Sequence, residues 1–159
     1  MKRFFPFLLL CAALSVFSCT KSDTNRCLTE VSVNADSTES ANLKAYLAAK
    51  GVSATADPRG FYYVVTNPGD TTLRPTVCSS IRVSYTGRLT NNQQFDASNY
   101  AVLNLNGLVL GWQEGLPHIG KGGSIILYLP PSLGYGATAT TSVPANSVLV
   151  FWIDLLDVF

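Results

Sequence analysis

The sequence predicts an α+β domain, a twisted antiparallel sheet covering one short helix, with a second short helix ahead of it. Three observations predict it. Residues 61–66, 81–87, 124–129 and 148–157 are rich in aromatic and β-branched residues or alternate apolar with polar ones. In the same region only 111–119 has helical spacing, with Trp112, Leu116 and Ile119 on one side. Hydrophobic residues make up 47% and charged residues only 13%, with 12 Gly and 8 Pro, which suits a β-rich globular chain and not a disordered or coiled-coil one.

Length and charge narrow the function. The 159 residues suffice for one modest domain with appendages. A formal charge of +1 leaves no strongly basic face, so no nucleic-acid partner is expected. There is one histidine, and the cysteines at 11, 19, 27 and 78 form no C-x-x-C pair, so neither metal nor cofactor is expected.

Residues 1–18 read as an export signal. Lys2 and Arg3 form a basic start, and 4–17 are apolar apart from Ser15. A membrane-spanning helix needs about 20 apolar residues, and Thr20, Lys21 and Asp23 arrive too early for one. Val16-Phe17-Ser18-Cys19 resembles a bacterial lipobox, although Phe17 is bulkier than the residue usual there. The resemblance implies that Cys19 becomes a lipidated N-terminus, which would hold the protein at the membrane of the cell envelope. A soluble exported protein is the alternative. Loss of Lys2 and Arg3 would turn the charge to −1. Cys27 and Cys78 would then be the remaining thiols, and an oxidising compartment favours a disulfide between them over two separate buried thiols.

Residues 19–36 read as a flexible tether. Asp36-Ser37-Thr38-Glu39 resembles a helix start, a capping side chain with Glu three residues on. Leu43, Tyr46 and Leu47 share a face, and Gly51 can end the helix in a left-handed cap. So short a helix must dock its apolar face on its own domain or on another chain, and a monomer is expected. Residues 37–59 thus form a helix and linker, and 60–159 the main domain. Within it, Asn67-Pro68-Gly69-Asp70 is a turn, and Asn91-Asn92 is the tip of a hairpin leading to Gln94. Ile81, Val83 and Tyr85 share one strand face, as do Leu149, Phe151, Ile153 and Leu155.

Several motifs fall short of chemistry. Gly115, Gly120 and Lys121 have phosphate-loop spacing, but Gly122 stands where the magnesium-binding hydroxyl belongs, and the segment follows a helix. His118 has no G-x-S-x-G serine to serve, and reads as a surface residue at a helix end. Glu114 and Asp96 as an acid pair for glycoside hydrolysis lack any sugar platform nearby. What remains is an aromatic set, Tyr85, Phe95, Trp112, Tyr135 and Phe151, with a single acid, Asp96. By periodicity alone it is either plain core or an apolar pocket with a few fixed polar groups.

Five segments in order carry a family resemblance. They are Val83-Ser84-Tyr85-Thr86-Gly87, Gln94-Phe95-Asp96-Ala97-Ser98, the run 108–116 around Gly111-Trp112, the run 129–137 around Gly134-Tyr135-Gly136, and Val143 to Phe151. Together they resemble the FKBP-type peptidyl-prolyl cis-trans isomerases. The resemblance implies an antiparallel half-barrel of five or six strands wrapped on a short helix, with a pocket between helix and sheet. It implies Trp112 as the floor under a proline ring, with Phe95, Val109, Phe151 and Tyr85 as walls. Tyr135 would offer its hydroxyl to a substrate carbonyl, and Asp96 would sit at the rim near Tyr85. Leu103, Leu108 and Val143 join the substrate-binding set, Leu108 through its backbone. Leu103 and Leu133 stand where the family often has aromatics, and no Arg follows the F-D-x-S motif. The implied partners are proline-containing peptides and unfolded exported proteins. A catalytically weak binding or chaperone module of the same fold is the other reading.

Overall fold

A computed structural model of the chain describes residues 33–159. The export signal at 1–18, Cys19, Cys27 and most of the tether at 19–36 lie outside the described residues. Six strands form one antiparallel sheet in the order β1-β2-β5-β6-β3-β4. They are β1 (Thr55–Ala56), β2 (Tyr62–Asn67), β3 (Ser80–Leu89), β4 (Gln94–Asn104), β5 (Ser124–Leu129) and β6 (Leu149–Val158). A helix lies on each side, α1 (Ser37–Ala49) and α2 (Leu110–Gly115). Among the described residues no helix is long and apolar enough to cross a membrane.

The inner face follows from alternation. Ile81 and Val83 of β3 and Leu149, Phe151, Ile153 and Leu155 of β6 are all buried, as their period of two requires. Trp112, Leu116 and Ile119 pack into the same core from the other layer. The helical segment is shorter than the 111–119 expected, because Pro117 cannot donate to an α-helical ladder and Leu116–His118 winds into a single 3-10 turn. α2 lies unusually close to the sheet. A Cβ at Gly111 would run into Leu129, and one at Gly115 would meet Leu127 at 2.6 Å.

α1 covers part of the opposite face. Asp36 caps it by accepting from the Thr38 N–H at 2.7 Å, and Gly51 ends it at φ +65°. Glu39 does not fold back to complete a capping box. Its Oε2 accepts from the Ser132 N–H at 3.0 Å and from the Ser132 hydroxyl at 2.6 Å, in the loop after β5. A bond to a distant loop replaces the local one because the helix lies against that loop. Leu43 and Leu47 are buried against Tyr128 and Val150, with Tyr46 half-buried beside them. The helix therefore docks on its own domain.

Residues 52–60, expected as a bare linker, contain β1, which pairs Thr55 with Tyr63 and Ala56 with Tyr62. Two residues are too few to show a sequence period. The pairing is dictated by β2, and it joins 37–59 to the main body. Cys78, just before β3, is disulfide-bonded. The other cysteines of the chain all lie outside the described residues.

Leu43→Ala removes a side chain with no exposure from the α1–sheet contact. The expected loss in unfolding free energy is about 2–4 kcal/mol, read from urea denaturation. A change below about 0.5 kcal/mol, the range usual at exposed positions, would mean that α1 is a loose appendage.

Candidate active site

Between α2 and the inner face of the sheet lies a cavity of about 170 Å³. Trp112, 3% exposed, lies at its base. Its ring meets Tyr85 edge-on at 5.1 Å and Phe151 edge-on at 5.2 Å. Perpendicular, edge-to-face contact suits the quadrupoles of the paired rings. The sheet supplies Tyr85 from β3, Phe151 from β6, and Asp96 and Leu103 from β4. The turn entering α2 supplies Gly107, Leu108 and Val109, and the loop after β5 supplies Tyr135.

This geometry has a local origin in the sequence. Gly87 in β3 faces Asp96 in β4 and Phe151 in β6. A Cβ there would meet the Phe95 ring at 2.7 Å and the Phe151 ring at 2.8 Å. Its absence lets these two rings meet edge-on at 5.4 Å across the strand. The turn at 105–109 is held by Gln113, whose side-chain amide donates to the Leu108 carbonyl at 2.8 Å.

The polar groups of the cavity are few. The Tyr85 hydroxyl donates to Asp96 Oδ2 at 2.8 Å. Burial of the Tyr85 phenol, reinforced by the hydrogen bond to Asp96 and the Asp96 charge, pushes its pKa up to about 12. Burial first, and the Asp96 charge second, also raise Tyr135. Both hydroxyls are thus held neutral and able to donate at ordinary pH. Among the described ion pairs none includes Asp96. The Trp112 Nε1–H is buried without a hydrogen-bond partner among the described residues.

The structure gathers Tyr85, Asp96, Tyr135, Leu103, Leu108, Val109, Trp112 and Phe151 on this one lining. Two residues expected there are not on it. Phe95 packs behind the wall against Phe151, and Val143 is 3% exposed within the main core. Leu108 lines the cavity, but its N–H donates to Leu105 O at 3.1 Å and its carbonyl accepts from Gln113. Its N–H is thus engaged within its own turn, while the carbonyl keeps a second lone pair. Gly107 was not expected on the lining. Its place there follows from the turn and from no side chain.

The structure separates Glu114 from Asp96. Glu114 ion-pairs with Arg59 and lines a different hollow, beside the 3-10 turn, so the two carboxyls form no acid pair. Nor is His118 a bare surface residue. It stacks on Tyr63 at 4.0 Å, and its Nε2 lies 3.1 Å from Asp57 Oδ2. Asp57 is 6% exposed. Burial pushes its carboxyl up, but bonds and charge from Arg59 and a bond to His118 outweigh that and leave it below the usual range. Asp57-Pro58-Arg59-Gly60 is a turn signal in the sequence, and the Arg59 N–H does donate to Asp57 at 2.9 Å. The pairing with Glu114 and His118 has no local signature. Among the described residues no group of three or more possible ligands could hold a metal ion.

A helix-backed aromatic cavity in a six-stranded antiparallel sheet matches a known class of protein. Residues 72–156 match the family model of the FKBP-type peptidyl-prolyl cis-trans isomerases, and the chain belongs to that family. Similar proteins include the isomerase FkpA of Buchnera aphidicola subsp. Schizaphis graminum, 42% identical over 120 residues, covering 73% of this chain and 47% of that protein. The Escherichia coli K12 FkpA is 38% identical over 113 residues, covering 69% of this chain and 41% of the relative. The chain thus spans about half the length of these curated relatives. The crystal structure of E. coli FkpA superposes with a TM-score of 0.69 at 34% identity, covering 76% of this chain and 59% of that one. A Pseudomonas syringae peptidyl-prolyl isomerase, 24% identical, shares the fold with a TM-score of 0.66 over 79% of this chain and 98% of its own.

The Tyr85 shift has a consequence in alkali. Its native value, about 12, lies above the ordinary 10.0, so between these the native state keeps a proton that the unfolded chain loses. Its contribution is full below pH 10 and is lost as pH rises through about 12. Absorbance titration is expected to show a phenol ionising near pH 12 that Tyr85→Phe removes.

Proposed function

We propose that the protein is a peptidyl-prolyl cis-trans isomerase of the bacterial cell envelope that assists the folding of exported proteins. The observation that carries this reading is the cavity floored by Trp112, whose lining among the described residues holds a single carboxylate, already hydrogen-bonded to Tyr85. Such a site is poor in acids, bases and nucleophiles. It suits a reaction that breaks no covalent bond.

Rotation about a peptide bond is slow because resonance stiffens the C–N bond, with a barrier of about 18–20 kcal/mol. Proline narrows the cis–trans gap to about 0.5–1 kcal/mol but leaves rotation slow. At the half-turned geometry the amide loses resonance and its carbonyl becomes less polar. A dry aromatic cavity accepts that form better than the planar, well-solvated one. Trp112 takes the pyrrolidine ring, and Phe151, Val109, Leu103 and Leu108 shield it from water. The Tyr135 hydroxyl donates to the substrate carbonyl. Asp96 holds Tyr85 in place across the rim. A reduction of about 4 kcal/mol in the barrier gives roughly a thousandfold acceleration.

Cys19 serves as the lipidated N-terminus, and Cys27 as the partner of Cys78. Supporting the first is the basic, apolar and lipobox order of residues 2–19. Supporting the second is the bonded state of Cys78. The protein acts as a monomer, in keeping with an α1 whose Leu43 and Leu47 are already buried on their own domain.

A protease-coupled assay on a short proline peptide tests the reading. The full-length protein is expected to isomerise it well above the uncatalysed rate. Trp112→Leu and Asp96→Ala should each lower kcat/KM by at least about tenfold, or about 1.4 kcal/mol, with the circular dichroism spectrum retained. A folded parent protein that gives no rate above background would refute it.

A further inference from the structure

α1 lies outside the segment that matches the family model, and it builds a second concavity far from the first. Its C-terminal end meets the outer face of the sheet around a hollow of about 400 Å³. The walls include Tyr46 of α1, Lys50 just after it, and Leu89, Tyr128, Val150 and Trp152 from the strands. Leu43 and Leu47 cover Tyr128 and Val150 from above, but the helix stops short of Trp152, which remains 41% exposed. A second hollow of about 220 Å³ continues past Trp152 and carries Arg88. Among the described residues, Lys50 and Arg88 are the only charged side chains lining either one, so both charges are positive.

We propose that this groove binds an extended polypeptide segment with an aromatic or large aliphatic side chain next to acidic ones. The apolar side chain enters between Tyr46, Tyr128 and Trp152, and the carboxylates lie against Lys50 and Arg88. Charge complementarity selects this occupant: the hollows offer two cations and no carboxylate. Nucleic acid is disfavoured because a phosphate backbone calls for a row of cations, and these hollows have two. The groove lies on the opposite face of the sheet from the Trp112 cavity, so a long unfolded client can occupy both while a four-residue peptide cannot. The inference rests on the isomerase reading for its client, and it extends that reading to how a client is retained.

The test uses the full-length protein and a labelled, proline-free peptide containing phenylalanine and glutamate, followed by fluorescence anisotropy. Trp152→Ser and Lys50→Glu alter exposed side chains and leave the fold intact. Each is expected to weaken peptide binding at least fivefold and to slow the proline-limited refolding of a whole acidic protein, while turnover of a four-residue proline peptide stays at the parent rate. The proposal fails if the parent does not bind the peptide, or if both variants bind as tightly as the parent. It also fails if a single-stranded oligonucleotide binds in place of the peptide, or if the variants abolish a self-association seen by sedimentation, which would make a second copy the occupant. Failure of the isomerase reading shows separately, as absent turnover of the short peptide by the parent.

Discussion

A helix of six residues has too few internal hydrogen bonds to persist in water by itself. α2 exists because the sheet holds it. Its glycines at 111 and 115 let its backbone down onto Leu129 and Leu127, and Leu116 and Ile119 bury the turn that follows. Polar ties fix it against rotation: Gln113 to the Leu108 carbonyl on one side, and Glu114 to Arg59 on the other. Trp112 sits between those ties. The position of the cavity floor is therefore a property of the helix–sheet contact, and the aromatic walls take their places from it.

The same contact explains why so few polar groups are needed. Perpendicular contacts with Tyr85 and Phe151 hold the indole of the floor between two aromatic rings. Tyr85 and Asp96 satisfy each other. A site built this way, under the function proposed above, would work by preference for one shape of a substrate over another, with neither proton transfer nor a covalent intermediate.

The strands were readable wherever one face is buried, because burial imposes the period. β3 and β6 show it over most of their length, and the two ends of α1 are set by Asp36 and Gly51, whose effects are local. Partners far apart in sequence were not readable. Glu39 has the spacing of a capping box but bonds to Ser132, and β1 exists only because β2 lies beside it. The five motifs fall on the elements that surround the cavity. They could not say which way a ring turns within its element. Phe95 turned to Phe151 and Val143 into the core. The Leu108 N–H was taken by its own turn, and the surroundings of His118 came from Asp57, 61 residues away.

The strand order has an implication for biosynthesis. β1, β2 and β5 form one ribbon and β3 with β4 another, and among the described residues β6, the latest of the six in sequence, is the strand that joins them, pairing with β5 on one side and β3 on the other. A nascent chain that stops before Leu149 thus carries two half-sheets, each with an unmatched edge open to any neighbouring strand. Closure of the sheet therefore waits on β6, whatever the order in which the other strands pair. A ribosomal stall or proteolytic clip near the junction would leave those edges exposed and adhesive.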